Sequence, residues 1–267
     1  NRSEIFLVMV SGMGTIAGSV MGTYIGMLGG TDPAAKVLFA THLLSASVMA
    51  VPGSIVLAKM LCPQTEEATD HVAISGKEKE NSNILDAISS GTVTGVKLMT
   101  NIAAMLLVFI SLVALANYIT EGVIGRYTGL NDWIVKITDG KAQGLTFQFI
   151  LGVITSPFMW LIGVPSQDIM LVGSLLGQKT ILNEFVAYFQ LQQWKDAGLF
   201  MYEKSILMST YILCGFANIS SIGILLGGLG VLAPEKRGLI SRIGLPAMIG
   251  GALVSVLSAT IIGMILG

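Results

Sequence analysis

The stretch Cys214-Gly-Phe-Ala-Asn-Ile-Ser-Ser-Ile-Gly223 lies in the middle of a run without a charged side chain, from Lys204 to Glu235. A bilayer-spanning helix needs about 20 apolar residues, so the run predicts a membrane span. Its centre is polar, with Asn218 and Ser221 among glycines. One interpretation is a helix interrupted where it lines a polar cavity, because hydrocarbon cannot satisfy free backbone groups. The other is close helix packing through small residues.

A second stretch, Gly12-Met-Gly-Thr-Ile-Ala-Gly-Ser-Val20, is also at the middle of a span and can be aligned with the first. Gly12 then falls on Gly215, and Thr15 falls on Asn218. Two matching spans interrupted by glycine in separate halves of a chain indicate the binding site of a transporter. The pair of stretches therefore favours the cavity-lining interpretation.

The composition of the whole chain is that of an integral membrane protein. Hydrophobic residues make up 53%, charged residues 12%, and the mean hydropathy is +0.77. The net charge of −1 suggests no nucleic-acid partner. Neither paired carboxylates nor a metal-spaced His/Cys cluster occurs, so no enzyme activity is expected. The chain begins at Asn1 and enters an apolar run almost at once, so we expect it to be part of a longer protein.

The expected fold class is an all-α integral membrane protein with inverted repeats, a re-entrant helical hairpin and discontinuous transmembrane helices. The chain divides into six predicted segments: a first broken helix with the following helix (1–62), a cytoplasmic loop with an interfacial helix (63–95), a scaffold helix (96–119), an extracytoplasmic loop (120–144), a re-entrant hairpin (145–190), and a second broken helix with the last helix (191–267).

The orientation in the membrane follows from one short loop. Pro234-Glu-Lys-Arg-Gly238 is the densest basic short loop and should be cytoplasmic by the positive-inside rule. Counting crossings outward places the charged loop Glu66–Asn83 inside and Gly267 outside. The re-entrant hairpin rests on the break Gly163-Val-Pro165 between two apolar segments. Two conventional helices joined by a tight turn are the alternative.

Glu184 is the most unusual residue, because it lies in an otherwise apolar stretch that we expect to be one helix, Thr180–Tyr188. An acid at membrane depth costs about 3 kcal/mol and usually faces an ion or substrate path. Two alternatives to such a path are open. Glu184 could pair with Lys179, which is five positions away and poorly placed on a helix, or it could lie near the interface.

Three of the unusual residues can bind hydroxyl groups together: Glu184, Asn218 and Ser221. The carboxylate accepts hydrogen bonds, and the amide and the hydroxyl both donate and accept them. That set suits a polyhydroxylated solute such as a sugar or ribose. Phe216 is a candidate apolar or stacking wall. Thr15, with freed carbonyls around Ile16, offers oxygen ligands for a monovalent cation.

Four motifs in order resemble the concentrative nucleoside transporter family: Gly14-Thr-Ile-Ala-Gly-Ser-Val20, Gly163-Val-Pro165, Asn183-Glu-Phe-Val-Ala-Tyr188 and Cys214-Gly-Phe-Ala-Asn-Ile-Ser-Ser221. The resemblance runs from Ser3 to the end of the chain. It implies two inverted repeats, each a re-entrant hairpin with a broken helix, that form a transport domain carried on a trimeric scaffold.

The resemblance also implies roles for individual residues. Glu184, Asn218 and Ser221 would hold the ribose hydroxyls, with Phe216 beside them. The nucleobase side would be lined by Val20 and Leu98, and the sodium site would use the Thr15 hydroxyl and the Ile16 carbonyl.

One departure from the family limits this chain. The family's first hairpin, with a Gln-Thr-Glu motif at the base and ion sites, would precede Asn1, as would the early scaffold helices. Gln64-Thr-Glu66 lies in the loop after the second span and is not that motif. We therefore expect this chain by itself not to transport.

The resulting hypothesis is the C-terminal part of a sodium-coupled nucleoside symporter. Its partners would be a nucleoside, sodium as the coupling ion without any other cofactor, the lipid bilayer and two further copies in a homotrimer. The location would be the plasma (inner) membrane, with several spans. Proton coupling on the same fold, and a non-transporting receptor or assembly subunit, are the alternatives.

Overall fold

The regular structure of the chain is helical throughout the part that the structure describes. A computed structural model describes residues 1–65, 83–138, 140 and 142–267. The α-helices in these ranges are α1 (Arg2–Gly14), α2 (Gly18–Gly29), α3 (Pro33–Leu61), α4 (Ile84–Asn117), α5 (Arg126–Thr128), α6 (Leu130–Ile137), α7 (Phe147–Leu161), α8 (Ile169–Ile181), α9 (Glu184–Asp196), α10 (Glu203–Leu213), α11 (Ile219–Leu232) and α12 (Arg237–Ile265). By length and composition, three helical segments of the described residues are able to cross a bilayer: Arg2–Gly29, Pro33–Leu61 and Pro234–Ile265.

The first broken helix consists of α1 and α2. The chain leaves α1 at Thr15, which has an extended backbone with φ −109° and ψ 166°, and helical structure resumes at Gly18. No side chain caps the start of α2. The interruption predicted around Thr15 and Ile16 is therefore confirmed.

The second broken helix consists of α10 and α11, and its interruption runs from Cys214 to Asn218. Gly215 has φ 149°, a backbone conformation that residues with a side chain rarely adopt. A Cβ atom on Gly215 would lie 3.0 Å from the Gly14 carbonyl oxygen and 3.1 Å from that of Met13. The glycine thus lets the second break approach the end of α1, so the two breaks meet.

The last helix, α12, joins the two broken helices. It packs against α1, α3, α10 and α11. Glycines on α12 allow the close approach: a Cβ atom on Gly251 would lie 2.7 Å from the Met13 Cβ. Packing through small residues, the alternative considered for the broken spans, therefore also occurs in this fold, both at Gly215 and on α12.

The predicted hairpin contains two turns. The expected break at Gly163-Val-Pro165 is present, with Gly163 at φ 84°, and it joins the packed pair α7 and α8. A second break at Leu182–Asn183 separates α8 from α9. The expectation of one apolar helix over Thr180–Tyr188 is therefore wrong. Asn183 caps the new helix, its Oδ1 accepting from the Val186 N–H at 2.9 Å.

Two other segments differ from the sequence expectation. The interfacial helix expected within residues 63–95 is the start of α4, which begins at Ile84 and continues to Asn117, because the Asn83 side chain caps it and no proline follows. Residues 120–144, expected as a loop, contain most of the π-helix Tyr118–Gly125 and the short helices α5 and α6. Most of the predicted loop Glu66–Asn83 lies outside the described residues.

Candidate solute-binding site

Glu184 is the first residue of α9 and is only 6% exposed. Its Oε2 accepts a hydrogen bond from the Asn218 Nδ2 at 3.0 Å, and its Oε1 lies 3.5 Å from the Tyr24 hydroxyl. The start of a helix carries a partial positive charge, which favours a carboxylate there. The acid is therefore buried in the protein, as expected, at the beginning of a helix and not within one.

Asn218 fixes the start of α11 and the position of Glu184 at the same time. As the N-cap residue, it accepts at its Oδ1 from the Ser221 N–H (2.9 Å), the Ser221 hydroxyl (2.9 Å) and the Ser220 hydroxyl (2.6 Å). Its Nδ2 donates to Glu184. Because both ends of the amide have partners, its orientation is defined. The three residues expected to act together do lie together.

Lys179 does not form a direct ion pair with Glu184. Among the described residues, no lysine or arginine nitrogen lies within 4.0 Å of the Glu184 carboxylate. The Lys179 Nζ instead donates to the Ile212 carbonyl at 2.7 Å. The alternative in which Lys179 and Glu184 form an ion pair is therefore wrong.

Tyr24 is part of this cluster, and sequence reasoning missed it. Its ring is fully buried and stacks on Tyr188, with centroids 4.0 Å apart. The stack brings the first broken helix against α9, which carries Glu184. One signal was available, since Tyr24 lies four residues after Val20 on the same face of α2.

The residues expected to form the sodium site lie at the first break. Thr15 and Ile16 are half-buried, and the Thr15 hydroxyl donates to the Ser11 carbonyl at 2.9 Å. A hydroxyl that donates still has lone pairs with which to bind a cation. Ile16 and Val20 pack against the core cluster that contains Tyr24 and Cys214.

The structure describes the side chain of Phe216 but not that of Leu98, the last two residues predicted for the site. Phe216 is half-buried within the second break, where its carbonyl accepts from the Asn218 N–H at 2.9 Å. Leu98 lies in α4, but its side chain is outside what the structure describes. Its place on the nucleobase side stays a prediction.

Two broken helices that meet at mid-length, with a buried carboxylate held between helix starts, define the class of membrane transporters built on discontinuous helices. Comparison with known proteins gives the family. The family model described as "Na+ dependent nucleoside transporter C-terminus" matches residues 42–263. The chain therefore belongs to the Na+-dependent nucleoside transporter family, which is a family of transporters and not of enzymes.

Relatives match nearly the whole chain. An uncharacterized transporter of Haemophilus influenzae is 39% identical over 269 residues, covering 100% of this chain and 59% of that protein. Sodium/nucleoside cotransporter 1 of Rattus norvegicus is 38% identical over 277 residues, covering 98% of this chain and 39% of that protein. The solved structure of CNTnw in an inward-facing substrate-bound state has a TM-score of 0.80 and 36% identity, covering 99% of this chain and 57% of that one. This chain thus spans less than two thirds of each relative.

Proposed function

We propose that the full-length protein is a sodium-coupled nucleoside symporter, which takes up nucleosides by alternating access of a transport domain. The observation that carries the proposal is the buried pair of Glu184 and Asn218 between two broken helices. A carboxylate accepts from neighbouring hydroxyls, and the Ser221 hydroxyl both donates and accepts, which fits the ribose of a nucleoside. In a dry site, a solute that lacks one of those hydroxyls leaves a buried group unpaired and is rejected.

The remaining substrate contacts are proposed around this pair. Phe216 would form an apolar or stacking wall beside the ribose, because it is half-buried within the same break. Val20 would line the nucleobase side, since it lies one helical turn from Tyr24, which reaches Glu184. Leu98 is proposed for the same side from the family resemblance alone.

Sodium is proposed to bind at the first break. The end of α1 exposes carbonyl groups that have no partner within the helix, and the partial negative charge of a helix end attracts a cation. The Thr15 hydroxyl and the Ile16 carbonyl are the two oxygen ligands from this chain. Hard monovalent cations take such oxygens at interrupted helices.

Radiolabelled uridine uptake by the full-length protein, with and without a sodium gradient, tests the function. We expect accumulation only when sodium is higher outside, because the ion and the nucleoside would move together. Accumulation driven by a proton gradient in sodium-free medium would favour the proton-coupled alternative. If the protein shows no uridine uptake and no uridine binding under either gradient, the alternative of a receptor or assembly subunit is favoured.

Thr15→Val tests the ion site, because it removes a hydroxyl with little change in shape. We expect the sodium concentration for half-maximal uptake to rise about tenfold, because the ion loses one oxygen ligand. The uridine concentration for half-maximal uptake, measured at saturating sodium, should stay close to the wild-type value. Thr15→Ser keeps the hydroxyl and is the matched control. A sodium dependence unchanged in Thr15→Val would exclude Thr15 as a ligand.

The assembly and location are proposed on family membership. We infer a homotrimer in the plasma (inner) membrane, crossed several times by each copy. The three long apolar helical segments support several crossings. The cytoplasmic side assigned to the loop Pro234–Gly238 and the six segment boundaries stay predictions of the sequence.

A further inference from the structure

The end of α10, where the second break begins, is held by side chains from both sides of the turn between α8 and α9. A helix leaves its last four carbonyl groups without partners in the helix. Here the Tyr188 hydroxyl donates to the Thr210 carbonyl at 2.8 Å, and the Lys179 Nζ donates to the Ile212 carbonyl at 2.7 Å. The second break is thereby attached to the hairpin that carries Glu184.

Lys179 is completely buried, with 0% exposure, which is unusual for a lysine. Its Nζ makes a second hydrogen bond to the Ser255 Oγ on α12 at 3.1 Å, and that hydroxyl donates to the Cys214 carbonyl at 2.9 Å. The ammonium therefore contacts the Ile212 carbonyl directly and the Cys214 carbonyl through the Ser255 hydroxyl. Among the described residues, no carboxylate lies within 4.0 Å of it.

The end of α10 supplies compensating charge to the Lys179 ammonium. A buried ammonium without compensation costs several kcal/mol. The Lys179 Nζ donates directly to the end of α10, which carries a partial charge of about −0.5. Glu184 lies conversely between the starts of α9 and α11.

The two breaks differ in their source of positive charge. Among the described residues, no lysine or arginine side chain donates a hydrogen bond to the carbonyls at the end of α1. The second break has Lys179. We infer that the Lys179 ammonium is a resident cation of the second break, a positioning residue that fixes Asn218 and Ser221 for the ribose. This inference rests on the proposed function, in which the first break takes an exchangeable sodium ion.

Loss of the ammonium should weaken nucleoside binding although every proposed ligand of the solute is still present. For the full-length protein in detergent, Lys179→Ala should raise the Kd for uridine about tenfold or more, because the second break loses the two hydrogen bonds that the ammonium donates. Millimolar ethylammonium should then lower that Kd about fivefold by occupying the vacated space. Ethanol, which has a similar size and no charge, should leave it unchanged. Equilibrium binding of radiolabelled uridine measures each value.

The controls separate this inference from the proposed function. Lys195→Ala removes a charge from α9 at a lysine that pairs with Asp196, and it should bind uridine as the wild type does. Wild-type protein that does not bind uridine would contradict the proposed function. If the wild type binds uridine but Lys179→Ala has an unchanged Kd, or responds equally to ethylammonium and ethanol, the inference alone is overturned.

Ser255→Ala is the second test of the role inferred for Lys179, and it is used if Lys179→Ala does not yield folded protein. It keeps the ammonium but removes one acceptor and the link to the Cys214 carbonyl. We expect a Kd for uridine about threefold higher than the wild-type value. A Kd equal to the wild-type value would overturn the inference.

Discussion

Glu184→Gln is expected to reduce uridine uptake by the full-length protein about a hundredfold or more, since one partner of a buried charge-assisted pair is lost. The carboxylate only accepts hydrogen bonds, and its neighbours, the Asn218 amide and the Tyr24 hydroxyl, are placed as donors. Glutamine replaces one acceptor by an NH2 donor. That donor would either face the Asn218 amide donor or leave a ribose hydroxyl without the oxygen that accepts its proton. Initial rates of radiolabelled uridine uptake measure the effect.

The loss should be specific to transport and not to folding. A neutral amide costs less to bury than a carboxylate, so the thermal midpoint of Glu184→Gln should equal or exceed that of the wild type. Glu203→Gln is the matched control, because the same change then falls on an exposed residue in the first turn of α10. Uptake by Glu184→Gln at the wild-type rate would remove the ribose assignment.

The position of the second break could be predicted because its causes are local. Gly215 is the residue type that the backbone at φ 149° requires, and Asn218 is the residue type that starts a helix. The same applies to Gly163 at φ 84°. Each signal lies within a few residues of the feature that it causes. These signals can therefore be recognised in the sequence without knowing which helices pack together.

The break before Glu184 was missed although a local signal existed. Asn183 is a strong N-cap residue and is followed by an acid, which is a helix-start pattern. The apolar residues on either side suggested one continuous span instead. Burial of Glu184 was predicted correctly, but its stabilisation by a helix start required the true position of that start.

Contacts between distant segments could not be predicted. Tyr24 and Glu184 are 160 positions apart, and Lys179 reaches partners 33 and 76 positions away. Spacing along one helix carries no information on such pairs. Lys179 was considered only as a partner of Glu184, because the two are neighbours in the sequence. The fold gives each of them a different set of helix ends.

Asn218→Asp is expected to leave the protein folded and to reduce uridine uptake about a hundredfold. Aspartate caps a helix as well as asparagine does, and an Oδ atom still accepts from the Ser221 N–H. The Nδ2 donor, 3.0 Å from the Glu184 Oε2, is replaced by an oxygen. Two carboxylates at that distance cannot both be ionised without strong repulsion. The geometry of the ribose site should therefore be lost while the start of α11 is kept.

The contrast with Asn218→Ala separates the two roles of this side chain. Alanine removes the cap and should cost about 1 kcal/mol in the free energy of unfolding, whereas aspartate should not. Asn83→Asp, the same change at the exposed cap of α4, controls for the new charge and should transport normally. If Asn218→Asp transports uridine as the wild type does, the hydrogen bond to Glu184 is dispensable and Asn218 acts only as a helix cap. If both variants fail in transport and only alanine lowers stability, the amide donor holds the carboxylate that binds the solute.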